Sequence, residues 1–133
     1  RWYVNPWLST KSTTAALIVL IFPHAFRHIG LGFLVPGLVD EHLPNTFAMA
    51  AAYGDFASGL LALISLVALR KQWAVAIPLV WLFNIVGAVD LMNALRQAEA
   101  VPYLHTMWYV PTFFVPLLLV SHVLIFNKLL KSN

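Results

Sequence analysis

The chain contains no cysteine. That absence removes disulfides, thiolate nucleophiles, iron–sulfur clusters and thiolate-bound zinc from consideration. Charge is nearly as scarce. Charged residues make up 10 % of the chain against about 25 % in soluble domains, and apolar residues reach 61 % against about 45–50 %. There is no basic run, so nucleic acid is not an expected partner. A Gly-rich phosphate loop, HExxH and GxSxG are all missing. No lysine lies in the interior of an apolar run, which excludes a retinal Schiff base. Repeats, low-complexity tracts and linkers are lacking too, and the 133 residues read as a single domain, 1–133.

What the chain has in excess is apolar surface. A water-soluble protein of this size has too little interior to hide so much of it, so lipid must cover the rest. A bilayer core of about 30 Å needs roughly 20 apolar residues of helix. Four runs meet that length, at about 14–39, 45–69, 73–95 and 103–130. The expected fold is therefore all-α: an integral membrane four-helix bundle with short loops. Ser9, Thr10, Ser12, Thr13 and Thr14 are placed to cap the first helix. The opening stretch through Trp7 reads as an interfacial lead-in, because the first run is too long for a cleaved signal peptide and carries Arg27 in its middle.

Charge placement sets the orientation. Lys11, Arg70, Lys71, Lys128 and Lys131 fall at the N-terminus, the second loop and the C-terminus, which share one side of a four-span protein. The first and third loops hold Asp40, Glu41 and Glu99 against a single Arg96. The positive-inside rule then puts both termini in the cytoplasm. Trp2, Tyr3, Trp7 and Trp73 belong at the inner interface on this reading, and Tyr103, Trp108 and Tyr109 near the outer one.

Small residues predict the packing. Ala50, Gly54, Ser58 and Ala62 form one ridge in the second run, and Ala51, Asp55 and Gly59 form another. Such ridges let backbones approach closely in lipid. The second helix is expected at the centre of the bundle with Asp55 facing inward. Pro23, Pro36, Pro78, Pro111 and Pro116 predict kinks.

Function is sought in the ionisable residues inside the runs, because a mid-membrane charge costs about 2.5–3.5 kcal/mol on insertion scales. Arg27, Asp55 and Asp90 are such residues, with His24 and His28 beside the arginine and Asn84 and Asn93 beside the second aspartate. At an α-helical rise, Arg27 and His28 lie roughly 15–18 Å deep, Asp55 about 15 Å and Asp90 about 8 Å. His24, Arg27 and His28 share an α-helical face. Arg27, His28, Asp55 and Asp90, with Asn93, are thus expected to meet in one polar layer.

Four uses of that layer are open. It can be an ion-paired network that fixes helix register. His24, His28, Asp55 and Asp90 can supply an N₂O₂ set for Zn²⁺, Fe²⁺ or Mn²⁺. Haem b needs axial histidines at matching depth; His122 lies about 7–8 Å further in than His24 at an α-helical rise, and His105 is at the outer boundary, so no pair aligns well. Finally, Asp55, Asp90, His28, His42 and His105 can relay protons toward the outer face, with only Asn84, His122 and a few hydroxyls beyond.

The stretch Arg27-His28-Ile29-Gly30-Leu31-Gly32-Phe33-Leu34, followed by Pro36-Gly37, resembles the first helix of DoxX-like small bacterial membrane proteins. Those are also four-helix bundles. The resemblance covers about a dozen residues, carries over no functional residue, and implies a bacterial inner (cytoplasmic) membrane.

The expected function is an outward-accessible polar pocket that binds a small molecule or ion, or an accessory role in a larger membrane complex or a homo-oligomer. Arg27 would meet an anionic or polar ligand group, with Tyr53, Trp81, Trp108 and Tyr109 as walls. The alternative is a metal- or haem-dependent membrane redox protein. The side chains offer no nucleophile–base pair, so catalysis would need a metal or cofactor.

Overall fold

The computed structural model describes residues 4–131, and no strand occurs among them. Trp2 and Tyr3, expected at an interface, lie outside the described residues. A short helix α1 (Val4–Ser9) precedes α2 (Thr13–Ile21). Ser12 caps α2, its hydroxyl accepting from the Ala15 N–H at 3.2 Å. Leu8 is buried, and the Lys128 Nζ donates to its carbonyl at 3.0 Å, tying α1 to the end of the last helix.

The α pattern stops where Pro23 has no N–H to continue the ladder. A 13-residue 3₁₀ segment, Phe22–Leu34, takes over. Runs longer than three or four residues are uncommon in this form, so packing must hold it. The segment ends at Val35, extended as a residue before proline should be, and the chain turns through Gly37 at φ 86°. The first run was expected to reach residue 39 and is shorter for this reason.

Helix α3 (Asn45–Arg70) and helix α4 (Ala76–Leu95) follow. Two 3₁₀ turns, Ala98–Tyr103 and His105–Trp108, lead to a π turn, Val110–Phe114, and then α5 (Val115–Lys131). Pro111 and Pro116 remove donors here, and the Val115 N–H reaches back to the Val110 carbonyl, the wider π spacing. Among the described residues, four helices are long and apolar enough to cross a membrane: Thr13–Leu34, Asn45–Arg70, Ala76–Leu95 and His105–Lys131.

The 3₁₀ segment packs chiefly on α3, α3 on α4, α4 on α5, and α5 on α2, which closes the bundle. Two apolar cores result. One gathers Leu17, Ile21, Leu66, Val80, Phe83 and Ile125 toward the lysine-bearing end. The other gathers Phe33, Phe47, Leu91, Leu104, Met107 and Leu118 toward the end bearing Asp40. Between them, on the 3₁₀ segment and on α3, α4 and α5, lie buried polar residues: His24 and Arg27, Asp55 and Ser58, Asn84, Ser121 and His122. Outward faces are apolar, with Phe56, Leu60, Val89, Phe113 and Val120 exposed.

Candidate functional site

The polar layer is organised by a three-residue repeat. His24, Arg27, Gly30 and Phe33 are the buried residues of the 3₁₀ segment. In a helix of 3.0 residues per turn, side chains three apart eclipse and line one edge. That edge faces α3. His28, one residue off the repeat, is exposed, and its Nδ1 lies 3.2 Å from the Ala25 carbonyl. The expected grouping of His24, Arg27 and His28 on one face assumed α-helical spacing, and the 3₁₀ geometry separates His28 from the other two.

Arg27 is 3 % exposed and bridges two helices. Its Nε donates to Asp55 Oδ1 at 2.7 Å, and its Nη2 lies 2.7 Å from the same oxygen. Nη2 also donates to Asp90 Oδ2, and Nη1 donates to the Gly87 carbonyl at 3.2 Å. Close backbone approach makes this possible. A Cβ on Gly30 would sit 2.2 Å from Asp55 Oδ2, and a Cβ on Gly54 would sit 1.7 Å from Asp90 Oδ1. Both glycines therefore leave the room that the carboxylates occupy. Asp55 and Gly59 from one expected ridge are buried with Ala51, whereas Ala50 from the other is exposed.

Next to the ion pairs sits a histidine pair that depth counting kept apart. The His24 and His122 ring centroids are 4.3 Å apart, and both rings flank Phe83 at 5.0 and 5.4 Å. Counted back from Leu34, a 3₁₀ rise of about 2.0 Å per residue puts His24 roughly 5 Å deeper than the α rise of about 1.5 Å would. That moves it toward the level of His122. Asn84 Nδ2 donates to the His122 carbonyl at 3.2 Å, which turns Oδ1 toward His122 Nδ1 at 2.6 Å as an acceptor. Nδ1 therefore carries the proton, and Nε2 keeps its lone pair. Both His24 nitrogens, His122 Nε2 and the Ser58 and Ser65 hydroxyls have no hydrogen-bond partner among the described residues.

These positions revise several sequence expectations. His24, His28, Asp55 and Asp90 do not form a four-ligand set, because His28 points away. Among the described residues no group of three or more His, Asp or Glu side chains is placed to hold a metal ion. His24 and His122 touch ring to ring, leaving no space for a porphyrin between them as two axial ligands would need. Asn93 is exposed, its carbonyl accepting from the Gln97 amide at 3.5 Å, and it stands outside the ion-paired group.

A cleft of about 120 Å³ opens beside the ion pairs. Asp55 and Asp90 line it together with Phe33, Phe47, Leu91, Leu104 and Val115, and Gln97 adds an amide. None of the expected aromatic walls contributes. Tyr53, Trp108 and Tyr109 are exposed, and Trp81 packs on Phe126 with centroids 5.7 Å apart. Arg27 does not line this cleft either, since its donors are turned into the carboxylates and the Gly87 carbonyl. An anion entering here would meet carboxylates rather than the guanidinium.

At the end of the bundle nearest the cleft, Asp40 links the two loops. Its N–H donates to the Tyr103 carbonyl at 2.9 Å. Its carboxylate accepts the His42 N–H at 2.8 Å, and it lies 2.8 Å from His42 Nδ1 and 3.1 Å from His105 Nε2. The bond from the His42 N–H, followed by the His42 ring, holds the Asp40 carboxyl below the ordinary carboxylate range. His105 adopts φ 41°, an uncommon conformation for a non-glycine residue.

The three-residue repeat was the missed signal: HxxRxxGxxF immediately after a proline is written in the sequence. The pairing of Asn84 with His122 has no comparable local mark. Comparison with curated proteins and with solved structures found no match. A family model matches residues 1–130. The chain belongs to that family, described as Domain of unknown function (DUF8737).

Proposed function

We propose that this chain is an integral membrane protein that binds a small molecule in the cleft lined by Asp55 and Asp90. The observation that carries the reading is the cleft itself, a partly enclosed apolar space with two aspartates in its lining. Ligand sites commonly combine apolar walls with a few placed polar groups. The outward apolar faces suit lipid, and they leave surface for partner subunits or a second copy. Lys11, Arg70, Lys71, Lys128 and Lys131 sit at the end away from the cleft, so the positive-inside rule favours cytoplasmic termini and a cleft near the outer face. A bacterial inner membrane is the proposed setting.

The test is extraction of the purified protein. The chain is isolated in mild detergent, and bound molecules are released into organic solvent and identified by mass spectrometry. An Ala94→Trp variant, which fills the cleft wall, is treated in parallel. A non-lipid compound enriched in the parent and missing from the variant supports the reading. Identical extracts would remove its basis. Because the chain has no native cysteine, single cysteines placed at Lys71 and Glu99 report orientation through a membrane-impermeant maleimide. Labelling of the Glu99 position alone, from outside intact cells, is the expected result.

A further inference from the structure

We infer that the ligand of the cleft carries one positive charge on a compact apolar body: a lipophilic amine about the size of a single aromatic ring. This rests on the reading of the cleft as a binding site and adds its charge and size. The sign comes from the lining. Asp55 and Asp90 line the cleft and Arg27 does not. Each carboxylate gives one oxygen to Arg27; the other, Asp55 Oδ2 packed against Gly30 or Asp90 Oδ1 packed against Gly54, has no donor bonded to it among the described residues. One guanidinium against two carboxylates leaves a formal charge of one negative unit when both are ionised. In a dry setting such an excess is relieved either by a proton on one carboxylate or by a compensating positive group. A primary ammonium fits, since it brings three donors to oxygens that lack them.

Chemistry and size narrow the class further. An inorganic cation takes about six to eight oxygen ligands, or near-ideal octahedral coordination. Here the side-chain oxygens in the lining are those of two aspartates and Gln97, and the remaining walls include Phe33, Phe47 and Leu91. Those walls favour a hydrocarbon body behind the charge. A cleft of about 120 Å³ is close to the engineered apolar cavity of about 150 Å³ that accepts benzene. One ring with a short aminomethyl arm is the scale that fits.

The experiment compares 4-fluorobenzylamine, 4-fluorobenzyl alcohol and 4-fluorobenzoate by ¹⁹F NMR. The full chain is held in lipid nanodiscs, and empty nanodiscs correct for partitioning. At neutral pH the three probes are cationic, neutral and anionic on one body. The amine is expected to bind at least tenfold more tightly than the alcohol, with the benzoate weakest. Asp90→Asn should shrink the amine's advantage at least fivefold while the alcohol changes less than twofold. Ala94→Trp should abolish binding of all three. The ranking in the unaltered chain stands even if a variant fails to fold. Equal binding of amine and alcohol, or tightest binding of the benzoate, overturns the charge inference and leaves the cleft a binding site. No binding of any probe above empty nanodiscs overturns both.

Discussion

The imidazole of His24 rests against that of His122 at 4.3 Å, yet the two rings are held differently. His122 is bonded through Nδ1 to the buried Asn84, while neither nitrogen of His24 has a partner among the described residues. Replacing a ring without partners by phenylalanine removes two desolvated nitrogens and keeps the aromatic contact with Phe83. His24→Phe is expected to leave stability within about 1 kcal/mol of the parent or to raise it, whereas His122→Phe should lower it by about 1–3 kcal/mol by stranding the Asn84 amide. Denaturant unfolding in detergent, followed by circular dichroism, measures both. A larger loss for His24→Phe than for His122→Phe would contradict this assignment of partners.

Removing Arg27 leaves two carboxylates without their counter-ion. Arg27→Ala is expected to cost about 3–5 kcal/mol, the usual result of breaking a buried pair from one side. Changing Asp55 and Asp90 to asparagine in the same chain should recover part of that loss. Of the single changes, Asp55→Asn should be the more harmful, because Asp55 Oδ1 meets both Nε and Nη2. Thermal unfolding of the four variants orders them. An Arg27→Ala chain as stable as the parent would refute the ion-paired layer.

Gly54 and Asp90 compete for one space. A methyl group at Gly54 would lie 1.7 Å from Asp90 Oδ1, so Gly54→Ala must push α3 and α4 apart or displace the carboxylate. Its penalty should therefore fall when Asp90 is already alanine, with a coupling of about 0.5–3 kcal/mol in a double-mutant cycle. Additive effects would show that the two positions do not share this contact.

Asp40 predicts a pH dependence at the loops. Its carboxyl is held below the ordinary range by the His42 N–H and ring. The stability it contributes is present above the unfolded carboxylate pKa of about 3.9 and is lost as pH falls through the lower folded value. The melting-temperature difference between the parent and Asp40→Asn should shrink as pH falls below about 4. A difference that grows below that pH would have the wrong sign.

Four long apolar helices could be read from run length alone, since about 20 residues are needed per crossing and few charges interrupt the runs. Arg27, Asp55 and Asp90 stood out for the same reason. The place of His28 did not, because an i, i+4 spacing marks a shared face only in an α-helix, and Pro23 starts a 3₁₀ segment instead. The walls were misjudged because aromatic residues were weighed by type. Exposure of Tyr53 and Trp108 follows from helix rotation, which hydropathy leaves undetermined when every face is apolar.

The polar layer between the two cores divides the molecule into bands. Leu17, Phe83 and Ile125 belong to one cluster and Phe33, Phe47 and Leu104 to another, with the ion-paired residues between them. Side chains at the cleft end can therefore change in bulk without disturbing the foundation at the lysine end. A chain divided this way answers a change of bulk one band at a time, first among the packed neighbours of the altered side chain and only then across the polar layer.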